Sequence, residues 1–167
     1  MWWPSIVVLG LVTLQRLAEL VLARRNTRAL LARGGVEVAA EHYPLMIALH
    51  ASWIAGLWLL AIGRPVEPVW LVIFIALQAC RLWVIATLGR RWTTRIIVLP
   101  GMPLVRNGPY RFMAHPNYAV VAGEMAVLPL VFAMPVYALV FSILNAAVLT
   151  VRIRAESGAL RTAMFLK

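Results

Sequence analysis

Five membrane-spanning helices in an all-α integral membrane fold are what this sequence predicts, and three observations carry that expectation. The hydrophobic fraction is 63%, far above the roughly 45–50% of soluble domains, and the mean hydropathy is +0.85. The apolar residues come in runs of bilayer length, about 20 residues each. Basic residues outnumber acidic ones 16 to 6 and lie mainly between those runs, the usual signal of membrane orientation.

The first run, Trp2 to Ala23, has no basic leader and no small-residue cleavage site, so it reads as a retained helix. Arg24, Arg25, Arg28 and Arg33 follow in what is expected to be a loop. The second span is Tyr43 to Ile62 and the third Val69 to Leu88. A Gly- and Pro-punctuated loop then carries Arg90, Arg91, Arg95, Arg106 and Arg111. From Asn117 to about Val151 the apolar stretch is too long for one span. It breaks at Met134-Pro135, where proline removes a backbone donor, and so predicts a helical hairpin. The tail holds Arg152, Arg154, Arg161 and Lys167. Each span must be helical, because hydrocarbon offers the backbone no other hydrogen-bond partner.

With five spans these charges fall on one side, and only Arg64 and Glu67 on the other. The positive-inside rule then puts the N-terminus outside and the C-terminus in the cytosol. Trp2, Trp3 and Trp70 are expected in the outer aromatic belt and Trp92 in the inner one. Residues 1–167 read as a single membrane domain, with three spans in 1–88 and loop, hairpin and tail in 89–167. The +10 formal charge does not imply nucleic acid, because the arginines flank apolar segments and form no stripe on a soluble face. Cys80, the single cysteine, excludes an internal disulfide or a cysteine metal cluster, and no metal site is expected.

Ionisable groups inside spans are expensive and mark candidate sites. Arg16, Glu19, His50, Arg81, Glu124 and Asn145 all fall in the cytosolic third by residue count, at 1.5 Å rise per residue. The functional reading is a water-accessible pocket open to the cytosol. The structural reading pairs Arg16 with Glu19, three residues apart, and Arg81 with Glu124. Glu124 and His50 are candidate general bases for a hydroxyl acceptor. Glu124 stands nine residues from His115, about half a turn around the axis, so it does not share that face.

The run Leu104-Val105, Gly108-Pro109-Tyr110 and His115-Pro116-Asn117-Tyr118, then a hairpin, then Arg152-Ile153-Arg154-Ala155-Glu156, resembles the isoprenylcysteine carboxyl methyltransferase family of membrane methyltransferases. The likeness covers roughly the last 80 residues. With Glu41-His42-Tyr43-Pro44 and His50, the whole chain looks like a short bacterial branch associated with type III polyketide synthases. The resemblance implies S-adenosylmethionine as cofactor, held by Met102, Pro103, Leu104, Val105, Tyr110, His115, Pro116, Asn117, Tyr118 and Glu156. Arg152 would face the substrate. It also implies a lipid-tailed acceptor, a phenolic or pyrone hydroxyl or a carboxylate, and a type III polyketide synthase as pathway partner. The location implied is the bacterial inner membrane, with the active site facing the cytosol. Two positions depart from the family pattern: Ala114 stands where arginine is usual, and Ser157 where a second glutamate is common.

These residue types suit the chemistry. Methyl transfer needs nucleophile and methyl aligned about 3–3.5 Å apart, and aromatic faces with a carboxylate suit a sulfonium cation. Tyr110, Tyr118 and Glu156 are of those types, and His115 suits a hydrogen bond to a cofactor carboxylate or ribose. Pro109 and Pro116 stiffen the loop. From the residues alone, an ordinary interfacial loop stands beside this reading. Two other functions stay open: a nicotinamide-dependent membrane reductase of sterol-reductase type, and a non-catalytic subunit of a lipid-synthesis complex.

Overall fold

The computed structural model describes residues 3–165, with side chains over residues 3–158; Trp2, Lys167 and the side chain of Arg161 lie outside the described residues. Among the described residues there are five α-helices, one small ribbon and three short 3-10 turns (Ala40–His42, Gly89–Arg91 and Gly108–Arg111): α1 (Trp3–Leu31), β1 (Val36–Val38), α2 (Tyr43–Leu60), α3 (Pro68–Leu88), β2 (Ile96–Val98), α4 (Pro116–Val131) and α5 (Pro135–Phe165). Four of them, α1, α2, α3 and α5, are long and apolar enough to cross a membrane. The fourth helix, α4, has 16 residues, about 24 Å of helix.

All five helices run between the same two ends. At one end the Gly63 backbone N–H donates to Ser5 Oγ at 3.3 Å, and the Glu67 N–H donates to the Val131 carbonyl at 2.8 Å. The start of α1, the α2–α3 loop and the α4–α5 turn therefore meet there. Arg64 and Glu67 are the charges at that end among the described residues. At the other end Asn26 Nδ2 donates to the carbonyls of Gly89 and Trp92, at 3.1 and 2.8 Å. These bonds tie the end of α1 to the turn after α3. The core near the first end is packed by Leu9, Trp53, Leu57, Phe74, Leu128 and Phe132. Leu11, Leu14, Leu59, Val72, Ile75 and Val136 face outward, an inverted pattern that suits lipid as solvent.

Several sequence expectations need correction. The first helix does not stop at Ala23 but runs on for 29 residues, so Arg24, Arg25 and Arg28 are helical. Nothing in Arg24–Leu31 disfavours a helix; the chain turns only at Gly34, with φ +86°. The tail after Val151 likewise continues α5, to Phe165. Trp92 is buried against Ala23 and Val84 and is no belt residue. The all-helical expectation holds, and the one addition to it is a three-residue ribbon in which β1 and β2 pair antiparallel with Glu37 opposite Ile97. Arg95 clamps that ribbon, with Nη1 2.9 and 2.8 Å from the two Glu37 carboxylate oxygens.

Candidate active site

The loop before α4 is fastened to the end of α3. Arg91 Nη1 donates to the Pro103 carbonyl at 2.6 Å. Gly108, at φ +56°, lies where a Cβ would strike the Thr87 side chain. Both the left-handed backbone and the close approach require glycine there. Between the loop and α3 lies an open cleft of about 550 Å³, bounded by Pro103, Leu104, Val105, Arg91, Arg106 and Thr87 among others. Met102 closes a turn on Leu99, 3.2 Å N to O, and is not among the residues lining this cleft.

A second group forms where α4 begins. His115 caps α4 and Pro116 opens it, the position proline tolerates because its missing N–H has no helical partner. The His115 and Tyr118 rings stack at 5.4 Å and 22°. The Tyr118 hydroxyl donates to Glu156 Oε2 at 2.6 Å and accepts from Arg152 Nε at 2.9 Å. His115 Nδ1 lies 3.5 Å from the same Glu156 oxygen. Arg152 and Glu156 are four residues apart, so they share one face of α5. Arg152 also donates Nη2 to the Thr94 carbonyl at 2.6 Å and Nη1 to Met46 Sδ at 3.0 Å.

Tyr110 joins the two regions. It packs with Ala23, Val84 and Trp92, and burial together with the nearby Glu156 charge pushes its hydroxyl up to about 12. Asn117 Oδ1 is buried without a hydrogen-bond partner among the described residues. The ribbon contributes as well: Tyr43 Oη sits 3.0 Å from Thr94 Oγ1, and Arg95 lies over the Tyr43 ring at 4.5 Å. The hydrogen bond to Glu37 is the main cause holding Arg95 above its ordinary range.

Glu124 is elsewhere. Its carboxylate lies with Arg81 at 3.0 Å and Arg16 at 2.9 Å and accepts from Gln78 Nε2 at 2.9 Å. Arg81 also grips Glu19 through two bonds of 2.7 and 2.6 Å, and Arg16 reaches Glu19 at 2.9 Å. Both anticipated pairs therefore exist, merged into one network across α1, α3 and α4. His50 holds its Nδ1 2.9 Å from the Met46 carbonyl and feels the charges of Arg16, Arg81 and Arg152. Sequence reasoning missed Tyr43, Met46 and Thr94 as partners of the α5 group, and Gln15 and Gln78 as partners of the carboxylates. Only the two glutamines carried a signal, being polar residues inside apolar runs.

The model of the isoprenylcysteine carboxyl methyltransferase family matches residues 70–162, more than half of the chain. A Bacillus subtilis (strain 168) protein, "Uncharacterized protein YpbQ", is 39% identical over 166 residues, covering 96% of this chain and 97% of its own length. An "Uncharacterized protein" of Haemophilus influenzae (strain ATCC 51907 / DSM 11121 / KW20 / Rd) is 26% identical over 151 residues, 87% and 88% of the two chains. No solved structure matches the chain.

Proposed function

Because this chain belongs to the isoprenylcysteine carboxyl methyltransferase family, a family of membrane methyltransferases, we propose that it moves a methyl group from S-adenosylmethionine to an oxygen of a lipid-tailed acceptor. The acceptor oxygen is a phenolic or pyrone hydroxyl, or a carboxylate. A type III polyketide synthase is the enzyme class that would supply such lipids. The observation that carries the reading is the bonded group Arg152–Tyr118–Glu156, stacked on His115 beside a loop-lined cleft.

The residues present fit the cofactor. Glu156 supplies a carboxylate and Tyr118 an aromatic face, both suited to a cation. The partnerless Asn117 Oδ1 is an acceptor in want of a donor, such as an amine or ribose hydroxyl, and the 103–105 backbone offers polar groups along the cleft. When bound, S-adenosylmethionine supplies an electrophilic methyl on a positively charged sulfur. The protein's part is to bind and align. Tyr118 fixes the Glu156 carboxylate, Arg152 locks Tyr118 in place, and the anchored loop lines the cleft.

In this reading all five helices cross the bilayer, with the α4–α5 turn outside and the arginine-rich end in the cytosol, as the distribution of basic residues favours. Purified protein in detergent should retain S-adenosylhomocysteine in calorimetry and ignore NADPH. Lipid extracts of expressing cells should gain a species heavier by one methylene. Retention of NADPH, or of neither ligand, overturns the proposal, and so does a C-terminal tag that labels from outside the cell.

A further inference from the structure

The end of α1 carries positive charge that no carboxylate of the described residues answers. Arg24, Arg25 and Arg28 border an open cleft of about 600 Å³ together with Val21 and Ala29. The chain has six acidic side chains, and each is placed elsewhere. Glu19 and Glu124 belong to the network with Arg16 and Arg81. Glu37 lies on Arg95 and Glu41 beside His42. Glu156 lies with His115 and Tyr118, and Glu67 stands at the opposite end, against Val131. The C-terminus of a helix offers about half a negative charge, against three positive ones here.

The same face of α1 is apolar before it is basic. Leu14, Leu17, Val21, Arg24 and Arg28 follow one another at intervals of three and four residues, which makes one stripe along a helix. Leu14, Leu17 and Val21 are 65%, 54% and 67% exposed. The opposite face fixes the rotation of the helix. Ala23, Asn26 and Leu30 are buried, and Asn26 Nδ2 holds the carbonyls of Gly89 and Trp92. The arginines therefore stand on an anchored helix that keeps them turned outward. Leu14 to Val21 spans about 10 Å, and the hydrocarbon of one leaflet is about 15 Å deep. Arg24 to Arg28 add one turn beyond it, the level at which arginine stems reach out of the hydrocarbon.

We propose that this face of α1 is a binding site for an anionic phospholipid, its phosphate held by Arg24, Arg25 and Arg28 and an acyl chain lying along Val21, Leu17 and Leu14. The site is separate from the α4–α5 group and does not depend on the methyltransferase reading. Guanidinium groups pair two donors at a time with phosphate oxygens. The occupant has to be negative overall and to carry a tail. A soluble phosphate answers the guanidinium groups and leaves the apolar stripe bare. A choline head group brings a fourth cation to three others. A phosphatidylglycerol-type lipid matches both the charge and the stripe, and clustered arginines beside a membrane span are the pattern that anionic head groups favour.

The test titrates the full chain in detergent with phosphatidylglycerol and with phosphatidylcholine, and native mass spectrometry counts the bound lipid. Phosphatidylglycerol should bind at least about 10-fold more tightly. The triple variant Arg24→Gln/Arg25→Gln/Arg28→Gln should weaken it by about 10²-fold. Arg33, Arg90 and Arg154 line neither cleft. Arg33→Gln/Arg90→Gln/Arg154→Gln removes the same charge and should stay within about threefold of wild type, because distant exposed charges are screened. A second readout needs no variant. A phosphatidylglycerol with a photoreactive group in its tail should label the wild-type protein on the peptide that carries Leu14, Leu17 and Val21. Equal affinity for the two lipids, equal loss in the two triple variants, label confined to other helices, or displacement of the lipid by inorganic phosphate at matched concentration overturns the inference. Each of these leaves the methyltransferase reading as it was.

Discussion

Replacing Arg81 with methionine tests whether the buried charge network holds α1, α3 and α4 together. The network contains two arginines and two glutamates, so its formal charge is zero. Arg81 makes three of its bonds: 2.7 and 2.6 Å to Glu19, and 3.0 Å to Glu124. The Arg81 and Glu124 side chains are 8% and 3% exposed, so water does not take over a lost partner. Arg81→Met leaves Arg16 facing two carboxylates, a net charge of −1 in a low-dielectric site. Breaking a buried pair from one side costs about 3–5 kcal/mol. That lowers the folded-to-unfolded ratio by about 10²- to 10⁴-fold. The double variant Arg81→Met/Glu124→Gln returns the site to neutrality, with Arg16 still on Glu19 and an amide in place of the second carboxylate. It should recover more than half of the loss. Unfolding free energies from denaturant titration in mixed micelles measure both. An Arg81→Met variant within about 1 kcal/mol of wild type would refute the reasoning, as would a double variant no more stable than the single one.

Three further outcomes are expected. Tyr118→Phe removes the hydroxyl that bonds both Glu156 and Arg152; hydrogen bonds to charged groups contribute about 1.5–3 kcal/mol. S-adenosylhomocysteine affinity measured by calorimetry should therefore weaken about 10-fold or more, and an unchanged value counts against the site. Gly108→Ala places a Cβ against Thr87 in a left-handed backbone and should cost about 1–2 kcal/mol from conformation alone. Adding Thr87→Ala should restore only the steric part, as thermal melts would show. Tyr110 is held above its ordinary value of about 10, at about 12, so the folded state prefers the neutral phenol. Its contribution is complete below pH 10 and is lost as pH rises from about 10 to 12. Stability of Tyr110→Phe should decline less steeply across that window, and identical profiles would dismiss the assignment.

The helices were legible because lipid imposes a length and forbids unpaired backbone, so runs of apolar residues mark them without help from periodicity. Their ends were less legible. Arg24–Leu31 reads as loop by charge, yet nothing there breaks a helix, and the turn waits for Gly34. The ribbon is three residues per strand, too short for alternation to show. The pairing of Arg152 with Tyr118 and Glu156 lay half in the sequence, since a four-residue spacing on one helix is local. Met46 and Thr94 came from other elements, more than fifty residues away, and no local pattern announces them. Glu124 illustrates the opposite case. Its helical phase relative to His115 separated it from the cofactor group before any coordinates did, and the structure gives it Arg81, Arg16 and Gln78 instead.

The short fourth helix sets the depth of the chemistry. Counted back from the α4–α5 turn, Tyr118 is thirteen residues from Val131, about 20 Å along the axis. The hydrocarbon core is about 30 Å thick. In the proposed orientation, with the turn at the outer boundary, the Tyr118–Glu156 group stops about 10 Å short of the inner boundary, while α5 runs on past it to Phe165. In the proposed reading, a polar cofactor entering from the cytosol reaches that level through the loop, and the arginine-rich helix ends stand around its path. The lipid-tailed acceptor proposed above would reach it sideways without leaving the bilayer. Lengthening α4 by one turn would shift the group by about 5.4 Å along the axis, out of register with Arg152 on α5. The break at Phe132–Met134 and the cap at His115 are therefore as much a part of the site as the side chains they place.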